Sequence, residues 1–420
     1  MEHDQRGVRR TAASAEVATR FEGALTAFLA QRPDAGKLAL DTIAADPGMV
    51  AAQGLAGFMN LLAARGDLAA TAGLHLTAAR RALALQGGSP EEAALVTALG
   101  AWHDDGDMTR SANILDDALS ENPRDLLLLR LSHAVRFMFG DAIGMRRTIE
   151  AALPAWSADD PGYAYLLGCH AFALGETGAF AEGERVGKRA VTQEPADLWG
   201  AHAVAHAMGA QSRPREGVAW IAWLEPHLAC GGSFVRHIQW HRALCHLRLG
   251  EPDQALELYD RRVRDTPSGE VRDILNAASL LWRLEAAGVA IPASRWDELA
   301  DIAERRIGEH AWTFADLHYV LCLASARRGA ASEAMLSSIA RFGEAGGGTQ
   351  ADVHAAVGLT AARAVAQAIS GEHQEAARAF AAVRTGLRSV GGSNAQRDLL
   401  RAMQVRSERA CQAGSGAAAR

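Results

Sequence analysis

Aromatic residues are scarce in this 420-residue chain, at 6% of the sequence, and β-branched residues are few as well. Strands in globular proteins are enriched in both kinds of residue, so a sheet-based fold is disfavoured. Apolar residues make up 49% of the chain, and most of them are alanine and leucine, which favour helices. The composition therefore predicts an all-α protein.

Cysteine pairs with metal-site or redox spacing are also absent. The five cysteines are scattered along the chain, and none forms a CxxC pair. A disulfide framework and a thiolate zinc site are thus both disfavoured, and a reducing cytoplasm is the expected compartment.

The chain lacks long apolar runs and strong charge of either sign. Its first residues carry charge where a signal peptide needs an apolar core, and no apolar run is long enough to span a bilayer. The net charge of −6 is mild, and no dense stripe of lysine and arginine stands out. We therefore expect neither a membrane nor a nucleic-acid partner.

What the chain does contain is regular punctuation between helical segments. Gly106, Gly140, Gly178 and Gly250 recur at multiples of a period in the mid-thirties, and prolines such as Pro123 follow the second helix of a pair. This period, with glycine inside each pair and proline after it, is typical of tetratricopeptide-type repeats. It predicts a right-handed superhelical stack of antiparallel helix pairs, a TPR-like α-solenoid.

The predicted boundaries follow from where this periodicity begins and ends. Residues 1–14 are predicted to be a disordered N-terminus, 15–410 a single helical-repeat domain, and 411–420 a disordered tail. The glycine-rich stretch 343–350 is predicted to be a flexible loop, because a phosphate-binding loop would need a following Gly-Lys-Ser/Thr. Single helices are predicted over 351–369 and 372–390.

Two histidine pairs are the strongest functional signal. His202 and His206 are four residues apart, as are His237 and His241, and the pairs are one repeat apart. On helices, each pair projects from one face about a turn apart, and stacked repeats would bring the two pairs together. In such a stack the first helix of each pair lines the concave groove. The pattern predicts that four imidazoles face one cavity, where they could bind a divalent metal.

A structural role for these histidines is the alternative. Each ring could pack against a neighbouring helix and donate one N–H to a carbonyl or carboxylate. The spacing HxxxH lacks the glutamate that follows the first histidine in zinc proteases, so that motif is not present.

Other residues are candidates for the same site. Glu176 and Asp316 could handle protons, together with His318, although a regular helix places residues two apart on opposite faces. His133 and Trp240 could contact a substrate. Trp240 could equally fill the core, and Glu176 could cap the turn before Gly178.

The segment GGSNAQRD, Gly391 to Asp398, has two interpretations. Two glycines followed by Ser393 and Asn394 suit a loop and a helix N-cap. The cap does not require Gln396 and Arg397, and the guanidinium fork of arginine suits a carboxylate or phosphate. Asn394, Gln396 and Arg397 are therefore candidate substrate ligands, with an internal salt bridge of Arg397 as the alternative.

Several of these segments, taken together, resemble the tetratricopeptide repeat protein 38 family. They are GGSNAQRD, HAVAH, HxxWH at His237 to His241, SLLWRL from Ser279, LSHAVRFMFG around His133, GETGAF around Glu176 and FADLH around His318. They span nearly the whole chain, in the same order. The resemblance implies an all-helical intracellular repeat protein and supplies no biochemical activity.

Two function classes remain open. In the first, a divalent ion such as zinc, iron or manganese activates water or polarises a carbonyl of a small polar molecule, giving hydrolysis or elimination without a nucleotide cofactor. In the second, the protein is a non-catalytic scaffold whose groove holds a peptide. The concentration of histidine at groove positions favours the first class, and a homodimer is compatible with either.

Overall fold

The computed structural model describes residues 2–230 and 232–418, and its contacts divide the chain into two compact units. Unit 1 comprises Met1–Phe137 and Ala142–Cys245, and unit 2 comprises Met138–Asp141 and His246–Arg420. The segment 15–410, predicted as a single domain, thus contributes to both units.

The helices up to the unit boundary at residue 245 are α1 (Ala15–Leu29), α2 (Ala35–Ala45), α3 (Val50–Leu62), α4 (Gly66–Gln86), α5 (Pro90–His103), α6 (Met108–Glu121), α7 (Leu126–Met138), α8 (Ala142–Ala152), α9 (Tyr163–Glu176), α10 (Phe180–Gln193), α11 (Leu198–Ala210), α12 (Pro214–Leu224) and α13 (Gly232–Arg248). Short 3₁₀ turns follow α8 and α12, at Leu153–Ala155 and Glu225–Cys230.

The later helices are α14 (Pro252–Leu258), α15 (Val271–Ala286), α16 (Ala293–Arg305), α17 (Thr313–Ser325), α18 (Gly329–Ala345), α19 (Thr349–Val353), α20 (Leu359–Ser370), α21 (His373–Val383) and α22 (Asn394–Ala418). Two π-helical turns interrupt them, at Tyr259–Val263 and His354–Gly358, and a 3₁₀ turn covers Leu387–Val390.

Within each unit, consecutive helices pack as pairs, and the first helices of successive pairs also pack on one another. Helix α9 contacts both α10 and α11 in unit 1, and α17 contacts both α16 and α15 in unit 2. Such nearest-neighbour packing is how helical repeats build a continuous core. The predicted all-helical architecture is confirmed for the described residues.

The turns inside the pairs share one backbone conformation. Gly106, Gly140, Gly178 and Gly250 all have positive φ, as the glycine pattern predicts. The equivalent turns after α1, α3, α11 and α17 place Gln31, Ala64, Ser212 and Arg327 in the same left-handed region. This conformation favours glycine but does not require it, so a pattern based on glycine missed those four turns.

The N-terminal segment differs from the predicted disorder. Strands β1 (Glu2–His3) and β2 (Arg9–Arg10) form a small antiparallel hairpin, the only sheet in the described residues. Arg10 is 1% exposed, and its guanidinium lies 2.7 Å from Asp125. A buried ion pair of this kind holds the segment in place. Because its two residues are far apart in the chain, the polarity of the local sequence does not reveal it.

Smaller differences occur near the C-terminus. The predicted helix 351–369 is interrupted by the π-turn at His354–Gly358, and 372–390 consists of α21 and a 3₁₀ turn. Helix α22 continues to Ala418, into the segment 411–420 that was predicted to be disordered, while residues 419–420 lie outside the described residues. None of the described helices combines the length and apolar character needed to cross a bilayer.

Candidate metal centres

The four predicted histidines form one cluster in unit 1, here called the tetrahistidine cluster. His202 and His206 lie on α11, and His237 and His241 lie on α13. All four are buried, with relative exposures of 2 to 8%. One ring nitrogen of each lies within 4.8 Å of the others. The predicted convergence of the two pairs is confirmed, and their arrangement could hold a metal ion.

The ring nitrogens approach closely at the centre of this cluster. The Nε2 atom of His202 lies 3.0 Å from Nε2 of His237 and 2.8 Å from Nε2 of His206. Two ligands at 2.05 Å from an ion are separated by about 2.9 Å at a right angle and about 3.3 Å at the tetrahedral angle. The observed distances are nearer to the right-angle value.

Aromatic rings enclose the imidazoles. Phe172 stacks on His202 and Trp240 stacks on His237, while Phe234 contacts both rings. An apolar shell controls solvent access and the local dielectric around a bound ion. The sequence did carry a signal for part of this shell, because an aromatic residue precedes the first histidine of each pair by three positions, at Trp199 and Phe234.

A carboxylate lies behind one of the imidazoles. The Nδ1 atom of His206 is 3.6 Å from Oε1 of Glu176, which is 4% exposed at the end of α9. The Nε2 atom of the same ring faces the cluster centre. Carboxylates in this position orient metal-bound histidines. Glu176 is thus placed where it could orient His206.

The start of α11 depends on a residue that the sequence reasoning missed. Asp197 is fully buried, and its carboxylate accepts a hydrogen bond of 3.1 Å from the backbone N–H of Gly200, which caps the helix. Burial raises the pKa of Asp197 to about 7, against the opposing effects of that hydrogen bond and of the Arg130 charge. The signal for this role in the sequence was an aspartate directly before a helix.

His133 and Trp240, predicted as substrate contacts, are both buried. The His133 ring is 2% exposed and meets the edges of Phe172 and Trp199, and burial lowers its pKa well below the usual value. Trp240 is fully buried. Their substrate-binding roles stay predictions, since neither side chain is presented to solvent.

Asp316 and His318 lie in unit 2 with different partners. Asp316 joins His310 and His354, neither of which was predicted, in a second group whose ligand atoms lie within 4.8 Å of one another. His318 lies 2.9 Å, through Nδ1, from the carbonyl of Phe314, and burial lowers its pKa to about 4. The divergence of these two side chains follows from their spacing on a regular helix.

The GGSNAQRD segment is satisfied locally. Ser393 and Gln396 form a capping box, in which the Ser393 hydroxyl accepts from the Gln396 N–H and the Gln396 amide accepts from the Ser393 N–H. Arg397 donates to the carbonyls of Gly391 and Gly392 and to the side chain of Asn394. A Cβ on Gly391 would meet the Met138 carbonyl oxygen at 2.3 Å. These contacts explain the residues without a ligand, and substrate binding by Asn394, Gln396 and Arg397 stays a prediction.

A cavity of about 1030 Å³ lies elsewhere in unit 2, among α15, α17, α18, α20 and α22. Its walls mix charges of both signs, such as Arg363 and Glu333, and Arg406 lies over the ring of Trp282 at 5.9 Å. The described lining includes no residue of either histidine cluster. The size of this cavity is therefore not evidence that it is the functional site.

No family model matches this chain. Fold and side chains together define it as an all-helical protein with two buried clusters, one of four histidines and one of two histidines and an aspartate, that could bind metal ions.

Proposed function

We propose that this chain is a TPR-like helical-repeat protein, a right-handed stack of helix pairs related to the tetratricopeptide repeat protein 38 family, that binds a divalent metal at the tetrahistidine cluster. The observation that carries the proposal is the placement of four buried imidazole nitrogens within 4.8 Å of one another. Imidazole is the commonest protein ligand for zinc and also suits iron.

The number of ligands bears on catalysis. Four imidazoles fill a tetrahedral zinc ion, which is how closed structural sites are built. A five- or six-coordinate ion, such as iron or manganese, would keep positions for water and substrate. The Nε2 separations of 2.8 and 3.0 Å suit right-angle ligation of this second kind, and they suit hydrogen bonds between neutral imidazoles equally well, so an exchange experiment decides between a closed and an open ion.

For an open ion we propose an enzyme activity, the metal-dependent hydrolysis of, or elimination from, a small polar molecule. When bound, the ion would supply a Lewis acid for a carbonyl or a water nucleophile. Glu176, 3.6 Å from Nδ1 of His206, would orient that ring, and the aromatic shell of Phe172, Phe234 and Trp240 would exclude bulk water.

Metal analysis of the purified protein tests the binding step. After loading with Fe(II), Mn(II) or Zn(II) and gel filtration, we expect the His202→Ala/His237→Ala variant to retain about one equivalent less than wild type. Glu176→Gln, which keeps the shape of the side chain but removes its charge, is expected to weaken metal affinity by about 10- to 100-fold. Equal metal content in wild type and the double variant would refute the site.

Azide binding tests whether the site is open. In an Asp316→Asn background, so that unit 2 contributes no carboxylate ligand, the tetrahistidine cluster is loaded with Co(II) and titrated with azide. An enzyme centre with exchangeable positions should change its visible spectrum. An unchanged spectrum identifies a closed structural ion, in which case the non-catalytic scaffold becomes the better description.

A further inference from the structure

His310, Asp316 and His354 form a compact triad in unit 2. The Nδ1 atom of His310 and the Nε2 atom of His354 each lie 2.9 Å from the same oxygen, Oδ2 of Asp316. The three residues are between 0 and 4% exposed.

Irregular backbone presents two of the three side chains. His310 lies in the turn between α16 and α17 with φ of 45°, an unusual conformation for a residue with a Cβ. His354 opens the π-helical turn His354–Gly358. Both kinds of deviation also occur elsewhere in the described residues, and both are found at functional sites in other proteins. Here both deviations bring an imidazole to the same carboxylate oxygen.

Neighbouring groups fix the orientation of the rings. The Ser338 hydroxyl lies 2.8 Å from Nε2 of His310, the nitrogen that faces away from Asp316. Phe342 packs against both imidazoles, at 4.9 and 5.7 Å between ring centres. A Cβ on Gly358 would lie 2.6 Å from Nδ1 of His354, so glycine leaves the space that this ring occupies. The contact of His310 with Ser338 is of the kind that metal-ligating histidines make through their second ring nitrogen, whereas Nδ1 of His354 has no hydrogen-bond partner among the described residues.

The distances match ligation geometry. A nitrogen and an oxygen bound at right angles, each about 2.05 Å from an ion, are separated by about 2.9 Å. Two neutral imidazoles donating to one carboxylate oxygen would give the same spacing, so distance alone does not discriminate. The coincidence of the His310 turn, the π-turn and the oriented outer hydrogen bond favours a ligand set over a simple hydrogen-bonded pair.

We propose that the triad is a second divalent-metal site, with His310 Nδ1, Asp316 and His354 Nε2 as its ligands. Two imidazoles and one carboxylate suit iron(II), and also zinc or manganese, and leave further positions for water. When the metal is bound, the ring nitrogen of each imidazole that faces the ion carries a lone pair in place of a proton. His310 keeps its proton on Nε2, where it donates to Ser338, and His354 keeps its proton on Nδ1.

Cobalt(II) titration of the full chain tests this site independently of the tetrahistidine cluster. In the His202→Ala/His237→Ala variant we expect about one remaining equivalent of Co(II), with visible absorption bands. Asp316→Asn or His354→Gln in that background should reduce the affinity at least about 100-fold. The matched control is His318→Gln, which removes an equally buried imidazole from α17, the helix of Asp316. This variant should leave Co(II) binding intact.

Several outcomes are distinct. Loss of all Co(II) from the double variant, with its helical circular dichroism retained, would overturn the second site, as would binding that neither Asp316→Asn nor His354→Gln reduces. If the double variant does not fold, the comparison moves to wild type, where Asp316→Asn should remove one of about two equivalents. One equivalent in both wild type and the double variant, lost in Asp316→Asn, would support this site while refuting the tetrahistidine site.

Discussion

Asp197 illustrates at the residue scale how a buried carboxyl can serve a helix that carries part of the tetrahistidine cluster. Its Oδ1 caps α11, the helix of His202 and His206, and its Oδ2 has no hydrogen-bond partner in the described structure. Burial raises its pKa to about 7, with Arg130 lowering and Glu194 raising it as the nearby charges. Folding therefore favours the protonated form of this group.

The expected consequence is a stability that falls as pH rises. The folded state binds a proton at Asp197 between pH of about 4 and about 7, whereas the unfolded state has released it. From pH 5 to pH 8 this group should subtract about 3 kcal/mol from the free energy of unfolding. Urea unfolding of wild type and Asp197→Asn at both values measures this contribution.

Asparagine is the matched control because its amide oxygen can accept the same capping hydrogen bond without titrating. In Asp197→Asn, the pH-dependent contribution of this residue to the free energy of unfolding should be absent. The variant should therefore be more stable than wild type at pH 8. An identical pH dependence in both proteins would mean that Asp197 is ionised in the folded state.

At the scale of secondary structure, an irregular element brings together the second cluster, which consists of His310, Asp316 and His354. A regular helix over 351–369, as the periodicity predicts, would direct the side chain of residue 354 differently from the observed π-turn. The turn places His354 beside Asp316 of α17, and Gly358 makes room for its ring. Local backbone irregularity thus positions one imidazole of the second cluster.

Gly358→Ala tests that role. The added Cβ would lie 2.6 Å from Nδ1 of His354 and 2.8 Å from the Thr313 methyl, so the ring must move. We expect a loss of about 1 to 3 kcal/mol in stability from overpacking, together with weaker Co(II) binding by unit 2. Chemical denaturation and Co(II) titration provide the two measurements.

Gly329→Ala at the start of α18 is the control, because a Cβ there meets nothing within 4 Å. It should leave Co(II) binding unchanged and stabilise the helix by up to about 1 kcal/mol. If Gly358→Ala also binds Co(II) like wild type, the position of the His354 ring does not matter for binding.

At the scale of the whole molecule, each compact unit contains one buried cluster with metal-ligand geometry. A ligand that binds only the folded state stabilises it by mass action, by about 2.7 kcal/mol at a concentration of one hundred dissociation constants. Two sites should therefore give two separable increments of stability.

Thermal unfolding with and without excess Co(II) measures these increments. We expect the largest rise in midpoint for wild type, smaller rises for His202→Ala/His237→Ala and for Asp316→Asn, and none for the combined variant. A combined variant stabilised as much as wild type would show that Co(II) acts through other surface groups. The comparisons of wild type with the two single-cluster variants remain informative even if the combined variant does not fold.

Periodicity predicted the regular part of this protein well. The glycine turns at Gly106 and Gly178, the helix-ending Pro123 and the convergence of the two HxxxH pairs all follow from spacing along the chain. They could be predicted because a helix of fixed pitch and a repeat of fixed length set where side chains lie. Metal binding, the activity and the family relationship stay predictions.

The second cluster could not be predicted in the same way. His310 lies in a turn and His354 in a π-turn, so neither shares a helical spacing with Asp316. Asp316 was a candidate on its residue type, but its partners come from segments that only folding brings together. The buried ion pair of Arg10 with Asp125 has the same origin.

The sequence by itself determined the helices, the pairing of neighbours and the tetrahistidine cluster, because each depends on contacts between residues at regular separations. Only the tertiary structure decided that Asp316 meets His310 and His354, that Gln396 closes a capping box with Ser393, and that the N-terminal strands are held in place. Those features depend on local backbone deviations and long-range packing. Neither has a period that can be read along a chain.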